Sequence, residues 1–327
     1  MKTRLAKPVV VLLLLFTIVT AVASARARQQ SDQDTLKVNV ELVNVQFTVT
    51  DRHGKFVPGL KKEDFLVEED GRRQEIRNFA RENELPLTLA MLIDTSPSVR
   101  PVFEEEKTTA ANFLEQILRP KDLALVMGFD REVTLVQDYT ESAKPLIRAV
   151  ESLDIGGGTS IYDAVYLACK EKLAEEAGRK AIILITDGED TTSKIKFNES
   201  LVAAHRSDAV IYGIFNAAGS IFTGGFGPYG RPGAGRVGLG GGGDIGTLKK
   251  YSEETGGTTF ALSNQNNFQK IFDQISEELR SQYSLGYVST NAAKDGKYRQ
   301  IKLVVRGSGY TVKARKGYYA GKNRDLH

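Results

Sequence analysis

Residues 85–98, LPLTLAMLIDTSPS, decide the fold: an apolar run stops at Asp94 and is followed at once by Ser96 and Ser98. A short continuous apolar run bounded in this way reads as a strand buried on both faces, the habit of parallel sheets. Its end delivers three oxygen-bearing side chains to one sheet edge. Two later stretches repeat the arrangement. In GGGTSIYDA (156–164) three glycines precede Thr159 and a helix, and in AIILITDG (181–188) a second apolar strand ends in Asp187. Ligands of open parallel sheets bind outside the carboxyl ends of the strands, so Asp94, Ser96, Ser98, Thr159 and Asp187 are candidate ligands of one site. Five oxygen donors without histidine or cysteine suit a hard cation, Mg²⁺ or Mn²⁺, rather than Zn²⁺.

Taken singly, each motif has a plainer use. Asp94 or Ser98 can cap the helix after Pro101, Thr159 or Ser160 can be an N-cap, and Asp187-Gly188 can be only a turn. The order of the three motifs on the chain is what joins them.

Outward from the first strand, elements alternate. Strands are expected at 87–94, 122–129, 132–137, 180–186, 209–215 and 258–262, and helices at 103–118, 143–153, 162–176, 197–206, 245–254 and around 268–279. This is the order of a mostly parallel, doubly wound α/β sheet covered on both faces. The flanks differ. Residues 36–50 alternate with a break at Val43-Asn44 that suggests a bulge, 65–79 read as a hairpin around Asp70-Gly71, and 283–319 return to short strands. The two flanks pair into one small β-sandwich-like domain, so the expected organisation is 36–84 and 283–320 as β domain, 85–282 as the α/β domain and 321–327 as a tail. Lys294–Arg324 holds ten basic residues against the acidic one Asp295, while Glu63, Asp64, Glu68, Glu69 and Asp70 lie in the N-terminal piece. That charge contrast fits the pairing and fits two ordinary solvated faces equally well.

Lys2, Arg4 and Lys7 precede the apolar stretch Val9–Val22, and Ala23-Ser24-Ala25 has the form of a cleavage site. A signal peptide over 1–25, a polar tether over 26–35, and a secreted or periplasmic product without stable membrane insertion follow. Removing three basic residues takes the formal charge from +3 to about zero, so no nucleic-acid partner is expected. Cys169 is the single cysteine and falls on the apolar stripe Ile161, Val165, Cys169, Leu173, a buried thiol by position. Gly219–Gly246 contains thirteen glycines in 28 residues, too repetitive for a phosphate cradle. It reads as a flexible loop, expected to shape access to the site because it follows a strand ending on that edge.

Asp94-Thr-Ser96-Pro-Ser98, the turn from Gly156 to Ala164 and Thr186-Asp187-Gly188 resemble the von Willebrand factor type A domain, whose metal-ion-dependent adhesion site (MIDAS) is written Asp-x-Ser-x-Ser, then Thr, then Asp. All five positions match, and the resemblance in element order spans about Leu85–Gln282. Asp64-Phe65 and the ending Lys316-Gly-Tyr-Tyr319 are similar to a secreted bacterial group carrying such a domain, abundant in acidobacteria. The resemblance implies that Ser96, Ser98 and Thr159 meet the metal through neutral hydroxyls while Asp94 and Asp187 often act through water. It also implies a cation that accepts an Asp or Glu carboxylate from a partner protein rather than catalysing a reaction. Two other classes stand beside this reading. A Mg²⁺-dependent hydrolase needs a nucleophile or base, for which Asp163 or Glu189 would have to serve, because His53, His205 and His327 are scattered and no Gly-x-Ser-x-Gly elbow occurs. A structural envelope protein would use the metal only for stability.

Overall fold

The computed structural model describes residues 42–81, 85–216, 244–263 and 265–321. The expected signal peptide, the tether, the start of the β pattern at 36–41, residues 217–243 of the glycine-rich stretch, and residues 322–327 of the tail lie outside the described residues.

The N-terminal flank supplies β1 (Leu42–Asp51), β2 (Phe65–Glu69), β3 (Arg72–Gln74) and β4 (Ile76–Arg81). Next come β5 (Leu87–Asp94), α1 (Phe103–Ile117), β6 (Leu123–Phe129), β7 (Val133–Thr140), α2 (Ala143–Glu151), α3 (Ile161–Leu167) and β8 (Arg179–Thr186). They are followed by α4 (Phe197–Ser207), β9 (Val210–Phe215), α5 (Ile245–Thr255), β10 (Thr259–Ala261) and α6 (Phe268–Arg280). The chain closes with β11 (Tyr283–Val288), β12 (Tyr298–Val305), β13 (Tyr310–Ala314) and β14 (Gly317–Tyr319).

The central sheet runs β10-β9-β8-β5-β6-β7, parallel throughout except that β7 returns antiparallel to β6. All eight residues of β5 are buried, which is why its sequence shows no polar alternation. Leu89, Met91 and Ile93 pack with Phe113 and Leu114 of α1 and Phe272 and Ile275 of α6, whereas Ala90 and Leu92 face Val165 and Tyr251 on the other side. Each such large apolar side chain contributes about 1.5–3 kcal/mol on burial. Cys169 lies in the second of these cores, fully buried, and burial pushes its thiol up to about 12. The helix expected over 162–176 is shorter: after α3 the chain widens into a π-helical stretch, Ala168–Leu173, that keeps Cys169 and Leu173 in the core.

Two antiparallel sheets, β13-β1-β11-β4 and β14-β12-β2-β3, form the sandwich around Val45, Phe47, Phe65, Val67, Tyr283 and Tyr287. Elements from both ends of the chain thus share each sheet, with β1 on β11 and β13 and β2 on β12. Charge follows the pairing, with Lys302 4.0 Å from Glu68 and Arg299 3.8 Å from Asp70. The bulge expected at Val43-Asn44 is absent from β1: its register against β11 is unbroken from Leu42↔Val288 to Phe47↔Tyr283, and the irregularity lies between β11 and β4 at Gly286/Tyr287. Val43 continues the inward set of Val45, Phe47 and Val49, and Leu42 lies over Gly286, where a Cβ would come within 2.8 Å of it. The hairpin turn is present, Asp70 and Gly71 both lying at positive φ, 48° and 77°, as a two-residue type I′ connection requires. Its return arm divides: β3 stays with β2, and β4 crosses to β11 in the other sheet.

The sandwich docks at the amino-terminal edge of the central sheet. Just before β9, Asp208 receives Gln46 Nε2 on its carbonyl at 3.4 Å and pairs through its carboxylate with Arg315. Lys313 reaches Glu278 at 3.5 Å, and the amide of Lys316 donates to the carbonyl of Glu254 at 3.1 Å. The carboxyl-terminal edge is left to the candidate site.

Candidate functional site

β5 and β8 are neighbours whose continuations diverge, β5 leading to β6 on one side and β8 to β9 on the other. That is the switch point at which an open α/β sheet leaves a crevice, and Asp94 and Asp187 are the residues that end or follow these two strands. Asp94 is fully buried. Its Oδ1 accepts from the Ser96 amide at 2.8 Å and its Oδ2 from the Thr186 hydroxyl at 2.5 Å. Ser96 is buried and Ser98 exposed, with hydroxyl oxygens 3.0 Å apart. Asp187 is 7% exposed and accepts from the Glu189 amide at 3.2 Å.

The Thr159 loop is sewn to both of the others. The Gly156 amide donates to the Thr95 carbonyl at 2.8 Å; the Thr159 carbonyl accepts from the Thr191 and Thr192 amides at 2.9 and 3.0 Å, and the Thr159 amide donates to Thr191 Oγ1 at 2.9 Å. A Cβ at 156 would stand 1.6 Å from Asp130 Oδ2, so a larger residue there would displace the Asp130 side chain, which accepts from the Gly157 amide at 3.1 Å. The structure therefore gathers Asp94, Ser96, Ser98, Thr159 and Asp187 onto three interlocked loops of one sheet edge. Capping does not account for them. The turn that starts after Ser96, α1 and α3 all begin without a side-chain cap bond, and the Ser160 hydroxyl at the start of α3 is buried without a partner among the described residues.

Electrostatics marks the same spot. Burial raises the Asp94 carboxyl to about 7 against the hydrogen bonds from Thr186 and Ser96, and the charge of Asp187 adds to the rise. Behind it Glu106 of α1, with no exposed surface, is pushed well above the carboxylate range by burial first and by the charge of Asp94 second. Asn216, at the end of β9, donates its side-chain amide to Glu106 Oε2 at 3.4 Å and its backbone amide to the Thr186 carbonyl at 3.0 Å. Among the described residues no group of three His, Cys, Asp or Glu is arranged to hold a metal ion. A hydroxyl-rich set needs only two carboxylates, and buried acids whose charges repel one another are suited to a hard cation.

Sequence patterns pointed to the five loop residues but not to Glu106 or Asn216. Glu106 is one of three consecutive glutamates opening α1, which read alike as favourable first-turn charges. Of the residues that hydrolysis would need, Asp163 holds the amides of Lys194 and Ile195 at 2.8–3.1 Å, His53 sits in a turn bonded to Asp51 and His205 lies against Tyr298 and Tyr319 of the sandwich, while the Glu189 side chain is exposed. The two described ends of the glycine-rich stretch reach this edge, Asn216 through Thr186 and Asp244 against Gly188, where a Cβ would meet the Asp244 carbonyl at 2.3 Å.

Residues 89–189 match the family model of the von Willebrand factor type A domain. No curated protein matches the chain. Among solved structures, BatB from Bacteroides thetaiotaomicron is 19% identical, covering 59% of this chain and 97% of its own, with a TM-score of 0.45. An aerotolerance-related membrane protein from Bacteroides fragilis is 18% identical over 59% of this chain and 98% of its own, TM-score 0.44. Proximal thread matrix protein 1 of the mussel byssus, solved with a zinc-occupied MIDAS motif, is 17% identical over 63% of this chain and 48% of its own, TM-score 0.47. No helix among the described residues is long and apolar enough to cross a membrane.

Proposed function

We propose, from the premise that residues 89–189 form a von Willebrand factor type A domain, that this chain is a metal-dependent protein-binding module with no bond-breaking chemistry of its own. Asp94, Ser96, Ser98, Thr159 and Asp187 would hold Mg²⁺ or Mn²⁺. The ion supplies a positive centre for a partner's Asp or Glu carboxylate, whose desolvation is offset by coordination. The observation that carries the reading is the convergence of two buried, mutually repelling carboxylates with buried hydroxyls at the switch point. Hydrolysis finds no support there, because Asp163 is committed to loop amides and both described histidines lie elsewhere. Docking of the sandwich at the opposite edge leaves the loops facing outward, as adhesion or scaffolding requires. The product is read as secreted or periplasmic after cleavage at Ala25.

The deciding experiment presents the protein, from Arg26 onward, to a displayed peptide library in Mg²⁺ and in chelator. Enrichment of Asp- or Glu-bearing peptides in Mg²⁺ alone, lost in Asp94→Ala, is expected. Equal capture in chelator overturns the reading, and metal-raised melting with no carboxylate preference would assign the ion a purely stabilising part.

A further inference from the structure

Glu106 is a buried acid that neither the core nor the five loop positions explains. It lies on the face of α1 turned to the sheet, with 0% exposure, and its Oε1 has no hydrogen-bond partner among the described residues. Oε2 has one long bond, from Asn216 Nδ2 at 3.4 Å. A half-satisfied buried carboxyl costs stability, and an apolar side chain of similar size in its place is often neutral or stabilising. Its position is tied to the site rather than to the fold. Asn216 bonds Glu106 with its side chain and the Thr186 carbonyl with its amide, and the Thr186 hydroxyl bonds Asp94 Oδ2.

We propose that Glu106 is a positioning residue of the metal site: buried behind Asp94 and joined through Asn216 to Thr186, it fixes the end of β8, where Thr186 bonds Asp94 and Asp187 follows, and so raises the affinity of the loops for a divalent cation. This rests on the metal-binding reading above. Glu106 stands outside the five loop positions and reaches the ion through Asp94 and the Asn216–Thr186 link. Groups of this kind, when removed, typically lower metal affinity 10- to 100-fold.

The test compares the protein with Glu106→Met and Glu106→Leu, both of which remove the Glu106 acceptor, so that one folded variant suffices, and with Glu106→Gln, which keeps an acceptor oxygen. Free Mn²⁺ is counted by electron paramagnetic resonance during titration, and melting is followed in chelator and in excess Mn²⁺. Mn²⁺ affinity is expected to fall at least tenfold in the two apolar variants, about 1.4 kcal/mol, and by less in Glu106→Gln. Melting in chelator should equal or exceed that of the parent, while the rise on adding Mn²⁺ should shrink. Unchanged affinity in a folded apolar variant overturns the inference, as does destabilisation of the apolar variants by the same amount with and without metal, which would make Glu106 structural. If the parent itself fails to bind Mn²⁺, the proposed function falls first and this inference with it.

Discussion

Glu69 in the sandwich and Asp94 at the sheet edge are both acids with almost no exposed surface, 2% and 0%, and the chain treats them in opposite ways. Around Glu69 every demand is met: Oε1 accepts from Ser289 at 2.5 Å, and Oε2 accepts from Tyr287 and Tyr318 at 2.9 Å each. Burial, together with this acid, pushes both phenols well above their usual range, keeping them as donors. Around Asp94 the neighbours are two hydrogen bonds, another carboxylate at Asp187 and, behind it, Glu106 with an unpartnered oxygen. A buried acid ringed by donors holds a fold together; a buried acid ringed by acids holds a place for a cation.

The largest effect that separates the two falls on Asp94. Asp94→Ala should remove Mn²⁺ binding, an affinity loss of more than about a hundredfold, while melting in chelator stays near the parent, the relief of a repelling charge offsetting the acceptor lost to Ser96 and Thr186. Calorimetric titration with scanning calorimetry checks both. Retained binding would place the metal elsewhere and dissolve the contrast.

Glu69→Ala is its mirror. Three hydroxyls lose their acceptor in the core, and a loss of about 3 kcal/mol is expected in urea unfolding, with Mn²⁺ affinity unchanged. A drop in metal affinity would show that the sandwich and the loops are not independent.

Next in size is an effect at the junction between them. His205 is buried beside Glu254, Tyr298 and Tyr319, with Arg315 and Lys250 also acting on it, and burial lowers its pKa to about 4. The unfolded chain, near the ordinary histidine value of 6.5, takes up the proton first. Stability from this residue is therefore full above the unfolded value and is lost as pH falls from about 6.5 towards about 4. Between pH 7 and pH 5 the loss is about 2 kcal/mol, and His205→Gln should flatten that limb of the melting curve. A curve of the same slope in the variant would assign the acid sensitivity to other groups.

What could be read in advance divides along the same line. Asp94, Thr159 and Asp187 were legible because strand ends and a glycine turn put them on one edge whatever the details of packing. β5 was legible because burial on both faces erases polar alternation. Glu106 was hidden, since Glu104, Glu105 and Glu106 are chemically identical and only the facing of α1 separates the buried one from its exposed neighbours. Glu69 sits in phase with Phe65 and Val67, which strand alternation turns inward, yet beside Glu68 and Asp70 it looked like surface charge. Its partners come from the far end of the chain, and nothing local announces them. The crossing of β4 into the second sheet was hidden for a similar reason, because a hairpin signal describes the turn and not the partner of the arm that follows.

The smallest effect tests how local the sandwich contribution is. Gly71 follows Glu69-Asp70 in the turn, at φ 77° with nothing within 4 Å of a Cβ, so Gly71→Ala meets no neighbour and costs only its left-handed backbone, about 1 kcal/mol. That loss should appear in urea unfolding with Mn²⁺ affinity and the Mn²⁺-induced rise in melting unchanged. If so small a change two residues from Glu69 altered metal affinity, then the ties of Arg315 to Asp208 and of Gln46 to the Asp208 carbonyl would be carrying strain to the opposite edge of the sheet. The buried acids of the two domains would then belong to one coupled system rather than two.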